Sequence, residues 1–286
     1  MKVLIVGMGL VGGELARQLR GSGHTVVGTT TTPAKVAGLR DIADEVLVLR
    51  GADAAEMRAA VEGCDAVAVC AGPNAARAMT PEERGATYHD VLVATAEAVV
   101  AAATSQRIVA LSSLSVYGDA ADGLAEIDET APLSTSTDPS PRNFQEMERT
   151  YLEGAPGRAC VFRCADIYGA GDPPIADKVK LAHTILKGSV PFSGEALFYR
   201  VDVRDVAAAV AFAIQEKLSG VFNLTHEGIP STNRACFDAI GARQGFGPME
   251  FRAELQGPGR PVSVRRLLAT GFQIEHSRPE FVTQPV

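Results

Sequence analysis

The 286-residue sequence predicts an α/β fold with a doubly wound parallel sheet and a small C-terminal subdomain. Apolar runs of strand length alternate with helical patterns, and the runs are continuous in Val, Ile, Leu and Ala, as in strands covered on both faces. This alternation predicts right-handed crossovers with helices on both faces of the sheet. The predicted strands are residues 2–6, 25–29, 45–49, 66–70, 107–111 and 159–163.

The composition of the chain argues against three kinds of partner, namely nucleic acid, a membrane and a metal ion. The net charge of −7 argues against nucleic acid, which requires a basic face. No apolar run approaches the ~20 residues that span a bilayer, and the N-terminal apolar run is too short for a secretory signal. The five cysteines and five histidines lack metal-ligand spacing. We therefore expect a cytoplasmic protein without a metal site, a nucleic-acid partner or a membrane partner.

The first strand leads into a glycine turn. Gly7, Gly9 and Gly12 have the G-x-G-x-x-G spacing after a predicted strand and at the start of a helix. In such a turn the first glycine permits the tight bend, the second admits a pyrophosphate, and the third lets the helix pack closely. The helix N-terminus then favours an anion. We predict a Rossmann-like dinucleotide site, rather than glycines kept only for packing, with these candidate ligands: Gly7, Met8, Gly9, Leu10, Val11 and Gly12.

The end of the second strand bears on the choice between NAD and NADP. An acidic residue there would bind the adenosine ribose and repel a 2′-phosphate. The sequence instead has Thr30, Thr31 and Thr32, with Lys35 and Arg40 nearby. This pattern favours NADP, with NAD as the second choice. The alternative is that the threonines only cap the next helix.

Further candidate cofactor residues follow the third, fourth and fifth strands. Asp53 comes directly after the third strand, where it either contacts the adenine amino group or caps a helix. Ala71 and Gly72 end the fourth strand, where we expect the backbone to line the far side of the nucleotide. Ser112 ends the fifth strand and is a further candidate.

The second half of the chain is less regular. Residues 118–143 are rich in Asp, Ser, Thr and Pro and predict a loop that serves as a lid. Beyond residue 171 the pattern predicts helices at 175–187, 205–217 and 232–244, with strands at 196–203 and 220–226. We expect a dinucleotide-binding domain over 1–171 and a smaller substrate-binding portion over 172–286, some of whose segments return to the main sheet.

Five segments in order resemble the extended short-chain dehydrogenase/reductase superfamily and, within it, the NAD-dependent epimerase/dehydratase group. They are GMGLVG, the aspartate after the third strand, LSSLSVYGD, RCADIYGAGD and FYRVDVRDVA. The glycine spacing is one residue shorter than is typical of extended members, which indicates an atypical subgroup. The resemblance implies an NAD(P)-dependent oxidoreductase or epimerase. Its substrate would be a small polar metabolite, a sugar derivative or natural-product intermediate, that reacts at a hydroxyl or keto carbon.

The resemblance also assigns roles by position. Ser113 matches the serine that hydrogen-bonds a substrate hydroxyl or carbonyl. A Tyr-x-x-x-Lys pair should follow on a helix, with the tyrosine as proton donor and the lysine holding the nicotinamide ribose. Those places fall on Ser140 and Phe144, and residues 118–150 contain neither tyrosine nor lysine.

Other groups could replace the missing pair. Tyr168 is the preferred acid, because the strand before it should end at the nicotinamide, and Tyr117 is the second candidate. Glu146 and Glu148 on the helix are weaker candidates. Three arginines are candidate substrate ligands: Arg142, Arg163 and Arg200. For Arg200 the favoured alternative is a structural salt bridge, in which Asp202 or Asp205 pairs with Arg200 or Arg204.

The missing pair leaves two alternatives to an oxidoreductase or epimerase. One is a sensor or partner-binding module that binds NADP without redox turnover. The other is an isomerase or cyclase that uses the same pocket without redox chemistry. By analogy with the family, helices at 90–104 and 142–153 could also pair two subunits in a homodimer.

Overall fold

The computed structural model describes residues 1–73, 81–121 and 123–278, so residues 279–286 of the predicted C-terminal portion lie outside it. Its strands are β1 (Lys2–Val6), β2 (Thr25–Thr30), β3 (Glu45–Val48), β4 (Ala66–Val69), β5 (Arg107–Ser113), β6 (Ala159–Cys164), β7 (Asp166–Tyr168), β8 (Ser189–Phe192), β9 (Arg200–Asp202), β10 (Gly220–Leu224) and β11 (Glu250–Leu255). Its helices are α1 (Leu10–Gly21), α2 (Val36–Leu39), α3 (Ala54–Val61), α4 (Pro81–Tyr88), α5 (Thr95–Ala102), α6 (Pro139–Gly154), α7 (Ile175–Ile185), α8 (Val203–Gln215), α9 (Asn233–Arg243) and α10 (Arg265–Leu268).

A seven-stranded sheet has the strand order β10-β6-β5-β4-β1-β2-β3. Strand β1 pairs in parallel with β2 on one side and with β4 on the other. Parallel pairing continues from β2 to β3 and from β4 to β5. The winding of the chain therefore reverses beside β1, and sheets of this kind bind ligands at the carboxyl ends of the strands next to the reversal. The predicted doubly wound parallel fold is confirmed.

The strands of this sheet are apolar because both of their faces are covered. Val3, Leu4 and Ile5 of β1 are fully buried, and every residue of β4 is buried. Leu4 belongs to a core cluster that extends through Met57 to residues of α5 and α6. Since burying one such side chain contributes about 1.5–3 kcal/mol, this layer stabilises the central strands of the sheet.

The chain divides into two compact units, each made of separated segments. The first contains residues 1–113, 137–163 and 203–222, and the second contains residues 114–136, 164–202 and the chain from 223 onward. The sequence predicts a boundary after residue 171 with some later segments returning to the main sheet, and this boundary stays a prediction. Residues 203–222 return to the first unit, where α8 packs against α1.

The predicted strands and helices agree best with the structure where they are long and apolar. All six strands predicted between residues 2 and 163 occur, with ends that differ from the prediction by at most two residues. The strand predicted at 196–203 is reduced to β9, which forms a two-stranded sheet with the three-residue β7. Strands β7, β8 and β11 were not predicted, because runs this short or this exposed carry no clear pattern. None of the helices in the described part of the chain is long and apolar enough to cross a membrane.

Helix α6 starts three residues before the predicted 142–153 segment. Asp138 is its N-cap, and the Asp138 carboxylate accepts a hydrogen bond from the Ser140 amide at 2.8 Å. Pro139 follows at the first helical position, where its missing N–H costs nothing. The capping aspartate and the proline therefore set the helix start inside the segment that was predicted to be a loop.

Candidate functional site

The turn after β1 is held against its neighbouring strands by hydrogen bonds and close packing. The Gly7 amide donates to the Thr29 hydroxyl at 2.9 Å, and the Met8 amide donates to the Thr29 carbonyl at 2.8 Å. Gly7 has a φ of +95°, and a Cβ there would lie 2.7 Å from the Ala71 backbone. Only glycine fits this bend without strain.

The other two glycines of the motif have opposite surroundings. A Cβ on Gly12 would overlap the Gly7 carbonyl oxygen, so Gly12 lets α1 pack closely against the turn. A Cβ on Gly9 would meet no atom within 4 Å, so Gly9 faces open space. Gly9 is also the N-cap of α1, which has no side-chain cap and no acidic residue in its first turn. These features fit a dinucleotide pyrophosphate, because the open space lies at a helix N-terminus that favours an anion.

The remaining residues of the motif are largely covered. Met8 is buried, and its side chain packs over Gly28 of β2, where a Cβ would lie 2.7 Å from Met8 Cγ. Val11 is buried and Leu10 is half-buried in the first turn of α1. Sequence analysis missed Gly28 and the hydrogen bonds of the neighbouring Thr29. The available signal was a glycine in the middle of a strand, which often marks a close approach.

The end of β2 presents hydroxyl and ammonium groups. Thr30 is buried and accepts a hydrogen bond from the Thr32 amide at 3.1 Å, whereas Thr31 is exposed. Lys35 is exposed and ends a short 3-10 turn that begins at Pro33. Thr32 precedes this turn without a side-chain capping bond. The alternative interpretation is that the threonines serve only to cap the next helix. The Thr32 side chain makes no capping hydrogen bond, so it does not support that alternative.

The candidates after β3 and β4 have different surroundings. Asp53 caps α3, and its carboxylate accepts from the amides of Ala55 and Glu56 at 3.1 and 3.0 Å. Of the two roles considered for Asp53, the structure shows the cap. Ala71 is half-buried beside the glycine turn, and Gly72 is exposed.

A buried polar network connects β5, α6 and β6. Ser112 Oγ donates to Glu148 Oε1 at 2.5 Å. Arg163 Nε lies 3.0 and 3.1 Å from the two Glu148 oxygens, and Arg163 Nη2 lies 2.7 Å from Oε2. The side chains of Arg163 and Glu148 are only 5% and 4% exposed. This geometry gives Arg163 and Ser112 a role inside the protein, with Glu148 as the residue that sequence reasoning did not connect to them.

The two positions that the resemblance assigns to a Tyr-x-x-x-Lys pair, Ser140 and Phe144, lie on the first turns of α6. Ser140 is half-buried beside the cap. The ring of Phe144 packs edge-on against Tyr88, with the ring centroids 6.1 Å apart. Phe144, which the resemblance places at the lysine position, therefore makes an apolar contact. Arg142 lies between these two residues and is exposed, while Ser113 is half-buried at the end of β5.

The tyrosine of the VYG segment is an internal residue of the second unit. Tyr117 is fully buried, and its hydroxyl donates to Asn223 Oδ1 at 2.7 Å. Asn223 Nδ2 in turn donates to the Ser263 carbonyl at 3.1 Å. This arrangement favours a structural role for Tyr117 over proton transfer to a substrate.

Tyr168 and Arg200 lie together in the second unit. The Arg200 guanidinium carbon is 4.4 Å from the centroid of the Tyr168 ring, within the range of a cation–π contact. Arg200 Nε lies 2.9 Å from Asp166, and Nη2 lies 3.6 Å from Asp172. Arg200 therefore forms a salt bridge, as expected, but with Asp166 and Asp172, which are not the partners that the sequence suggested. The described residues contain no group of three or more His, Cys, Asp or Glu side chains that could hold a metal ion.

His226 is a buried titratable group near this cluster. It is 1% exposed, its Nδ1 lies 3.0 Å from the Glu227 carbonyl, and its ring lies 5.2 Å from that of Tyr199. Its Nε2 is buried and has no hydrogen-bond partner within the part of the chain that the structure describes. Burial lowers the pKa of His226, and the hydrogen bond to the Glu227 carbonyl opposes part of that shift. The neutral imidazole is thus favoured in the folded protein.

We expect His226 to make the protein less stable in mild acid. A lowered folded-state pKa means that the unfolded chain binds the proton more readily, so this contribution is complete above pH ~6.5 and is lost as the pH falls below it. At pH 5.5 the loss should reach up to ~1.4 kcal/mol. Urea unfolding at pH 7.5 and 5.5 measures this loss in the free energy of unfolding, with His226→Phe as the reference protein. An identical pH dependence in both proteins would contradict this prediction.

Comparison with known proteins identifies the family. The model of the NAD dependent epimerase/dehydratase family matches residues 3–225. Protein YeeZ of Escherichia coli K12 is 28% identical over 288 residues, which cover 97% of each chain. UDP-glucose 4-epimerase of Thermus thermophilus, solved in complex with NAD, has a TM-score of 0.77 at 18% identity, covering 99% of this chain and 97% of that one. A dTDP-4-dehydrorhamnose reductase of Clostridium acetobutylicum has a TM-score of 0.74 at 20% identity, with coverages of 99% and 97%.

At 18–20% identity the structural matches show only the fold. The family match shows which family the chain belongs to. It spans the glycine turn, all seven strands of the main sheet except Lys2, and the segments that carry Ser113 and Tyr168. The matched range therefore contains all five segments that carry the resemblance in the sequence. The chain belongs to the NAD-dependent epimerase/dehydratase family, as its resemblance to the extended short-chain dehydrogenases/reductases implies.

Proposed function

We propose that the protein is an NAD(P)-dependent oxidoreductase or epimerase of the atypical extended type. It acts on a hydroxyl or keto carbon of a small metabolite, a sugar derivative or a natural-product intermediate. Family membership supports this class of reaction, and the structures of relatives include complexes with NAD. The observation that carries the proposal is the open space beside Gly9, at the uncapped start of α1.

Different residues of the chain would bind the coenzyme, orient the substrate and donate the proton. The turn from Gly7 to Gly12 holds the pyrophosphate, and the backbone at Ala71 and Gly72 lines the nucleotide. A bound nicotinamide supplies or accepts the hydride, and the protein provides binding and orientation. Ser113 orients the reacting oxygen, and Tyr168 is the proposed proton donor.

Dinucleotide binding is tested by filling the space beside Gly9. Gly9→Val should fold as the parent does, since its side chain meets no protein atom within 4 Å at Cβ. It should nevertheless weaken NADPH binding at least about tenfold, or ~1.4 kcal/mol, because the side chain occupies the pyrophosphate position. Calorimetric titration with NADPH and NADH provides the measurement.

Gly13→Ala is the matched control for this variant. A Cβ on Gly13 would lie 3.7 Å from Ile42 Cδ1, which is an ordinary contact, so coenzyme binding should be unchanged. If Gly9→Val binds coenzyme as tightly as Gly13→Ala, the glycine turn is not the pyrophosphate site. If the parent protein binds neither coenzyme at millimolar concentration, the proposed function fails altogether.

We further propose that NADP is preferred over NAD. Thr31 and Lys35 are exposed at the end of β2, and no acidic residue stands between them. Lys35→Glu should weaken NADPH binding about fivefold, or ~1 kcal/mol, in a salt-dependent way, while changing NADH binding much less. Lys180→Glu, which makes the same charge change at an exposed position of the second unit, is the control. Equal losses for both coenzymes would remove the preference.

Turnover distinguishes the proposed reaction from coenzyme binding alone. Protein with NADPH is incubated with ketones and sugar nucleotides, and absorbance at the nicotinamide band and product stereochemistry are followed. Reduction or epimerisation of one substrate supports the proposal. Isotope tracing with deuterated coenzyme then separates redox chemistry from a non-redox isomerase or cyclase, because in the latter no deuterium moves.

A coenzyme-binding sensor or partner-binding module is the second candidate function. The contact between Phe144 and Tyr88 favours it, because an apolar ring occupies the place of the family's lysine. General acid–base catalysis typically contributes ~10²–10⁴-fold, so its loss would suit a protein without turnover. Tight NADPH binding, no turnover on the panel and a partner that responds to the coenzyme's oxidation state would establish this function.

A further inference from the structure

The second unit contains a cavity of about 390 Å³. This volume falls within the ~300–1,000 Å³ range of small-molecule sites. Helix α7 provides one wall, and the rest comes from β8, α9 and the segments around β7 and β9. The lining is mostly apolar and consists of Asp166, Ile175, Lys178, Leu181, Ala182, Leu186, Val190, Phe192, Phe198, Asn233 and Phe237.

Aromatic rings dominate one side of the cavity. Phe237 packs edge-on against Phe192 at 5.2 Å and against Phe198 at 5.4 Å, measured between ring centroids. Phe251 supports this group from behind, 5.8 Å from Phe192. Rings held in this way offer edges and faces to a further ring, and such aromatic pairs contribute about 0.5–1.5 kcal/mol beyond the buried area.

The polar side chains of the lining already have protein partners. Asp166 accepts from Arg200 at 2.9 Å. Lys178 Nζ lies 2.8 Å from Asp172, and Asn233 Nδ2 donates to the Ser193 carbonyl at 2.7 Å.

The charges around the cavity therefore balance. Lys178 and Arg200 supply two positive charges, and Asp166 and Asp172 supply two negative charges. A nucleotide diphosphate needs cations that are not already committed to carboxylates, and it would also approach the Asp166 carboxylate of the lining. A neutral ligand meets neither obstacle.

We propose that this cavity binds a neutral aromatic group, and that the substrate carries this group in place of a nucleotide diphosphate. The part that concerns the substrate depends on the proposed function. The cavity's own preference for a neutral ring depends only on its lining. Such a substrate belongs with aromatic natural-product intermediates rather than with sugar nucleotides.

Two leucines of α7 and its end make the inference testable without disturbing the core. Leu181 and Leu186 line the cavity and are 59% and 50% exposed, so polar replacements there should leave folding intact. Ile185 is 66% exposed, immediately precedes Leu186 and is absent from the lining. It therefore serves as a matched control for the same chemical change.

The test uses the neutral fluorescent probe N-phenyl-1-naphthylamine, whose emission rises in apolar sites, with the full chain and no coenzyme. The chain contains no tryptophan, so protein emission does not interfere. We expect saturable binding of one probe per chain. The double variant Leu181→Asp/Leu186→Asp should bind about tenfold more weakly, since each leucine loses apolar contact with the ring. Ile185→Asp should bind as the parent does, and millimolar UDP-glucose should not displace the probe.

Equal binding by all three proteins, absence of saturable binding, or displacement by UDP-glucose would overturn the inference. Failure of the proposed function would show up separately, as loss of NADPH binding with probe binding intact. Once an aryl ketone or alcohol is found to turn over, the double variant should lower its kcat/KM about tenfold. The affinity for NADPH should stay unchanged in that variant.

Discussion

Replacing Glu148 with alanine is expected to lower the free energy of unfolding by about 3–5 kcal/mol, because it leaves the Arg163 guanidinium charged and buried without its partner. Both side chains are at most 5% exposed, and contacts of 2.7, 3.0 and 3.1 Å join the guanidinium to the carboxylate. Ser112 also loses its hydrogen-bond acceptor. Urea unfolding at neutral pH measures the change.

Two further proteins give this experiment its control. Glu146 lies on the same helix and is 47% exposed, 3.7 Å from the exposed Arg149, so Glu146→Ala should cost no more than about 1 kcal/mol. The double variant Glu148→Met/Arg163→Met removes both buried charges and should recover most of the lost stability. If Glu148→Ala is as mild as Glu146→Ala, the network does not stabilise the connection of β5, α6 and β6.

Gly12→Ala is expected to destabilise the first unit by about 1–3 kcal/mol and to weaken coenzyme binding together with it. The added Cβ would overlap the Gly7 carbonyl oxygen and lie 3.1 Å from Ile5 Cγ2. Since the overlap is with backbone, α1 must move away from the turn. Thermal unfolding and NADPH titration of the same protein measure the two effects.

Gly13→Ala supplies the contrast one residue further along α1. Its Cβ has ordinary packing space, and alanine is about 0.8–1.0 kcal/mol more favourable than glycine inside a helix. We therefore expect Gly13→Ala to be neutral or stabilising. Similar unfolding temperatures for Gly12→Ala and Gly13→Ala would mean that the turn tolerates a Cβ at both positions, against the close packing described for Gly12.

The sequence predicts those parts of the fold that a local residue pattern specifies, namely single strands, helices and turns. The run Val3 to Val6, followed by the glycine turn, indicates a buried strand and a helix start through local pattern alone. Contacts between distant elements have no such pattern. Glu148 and Arg163 meet because α6 packs beside β6, so a charge that looks like a surface residue in the sequence is buried. Phe192 and Phe237 form one wall of a cavity although 45 positions separate them.

The discontinuous make-up of the two units has a consequence for biosynthesis. Helix α8 follows the whole segment 164–202, yet it packs against α1, and Gln18 Nε2 donates to the Arg204 carbonyl at 3.2 Å. A nascent chain that ends at residue 171 consequently leaves one side of α1 bare and the sheet short of β10. We expect maturation of the amino-terminal half on the ribosome to wait until residue 224, the end of β10, has left the exit tunnel. Fragments cut near residue 171 should be held by chaperones rather than fold.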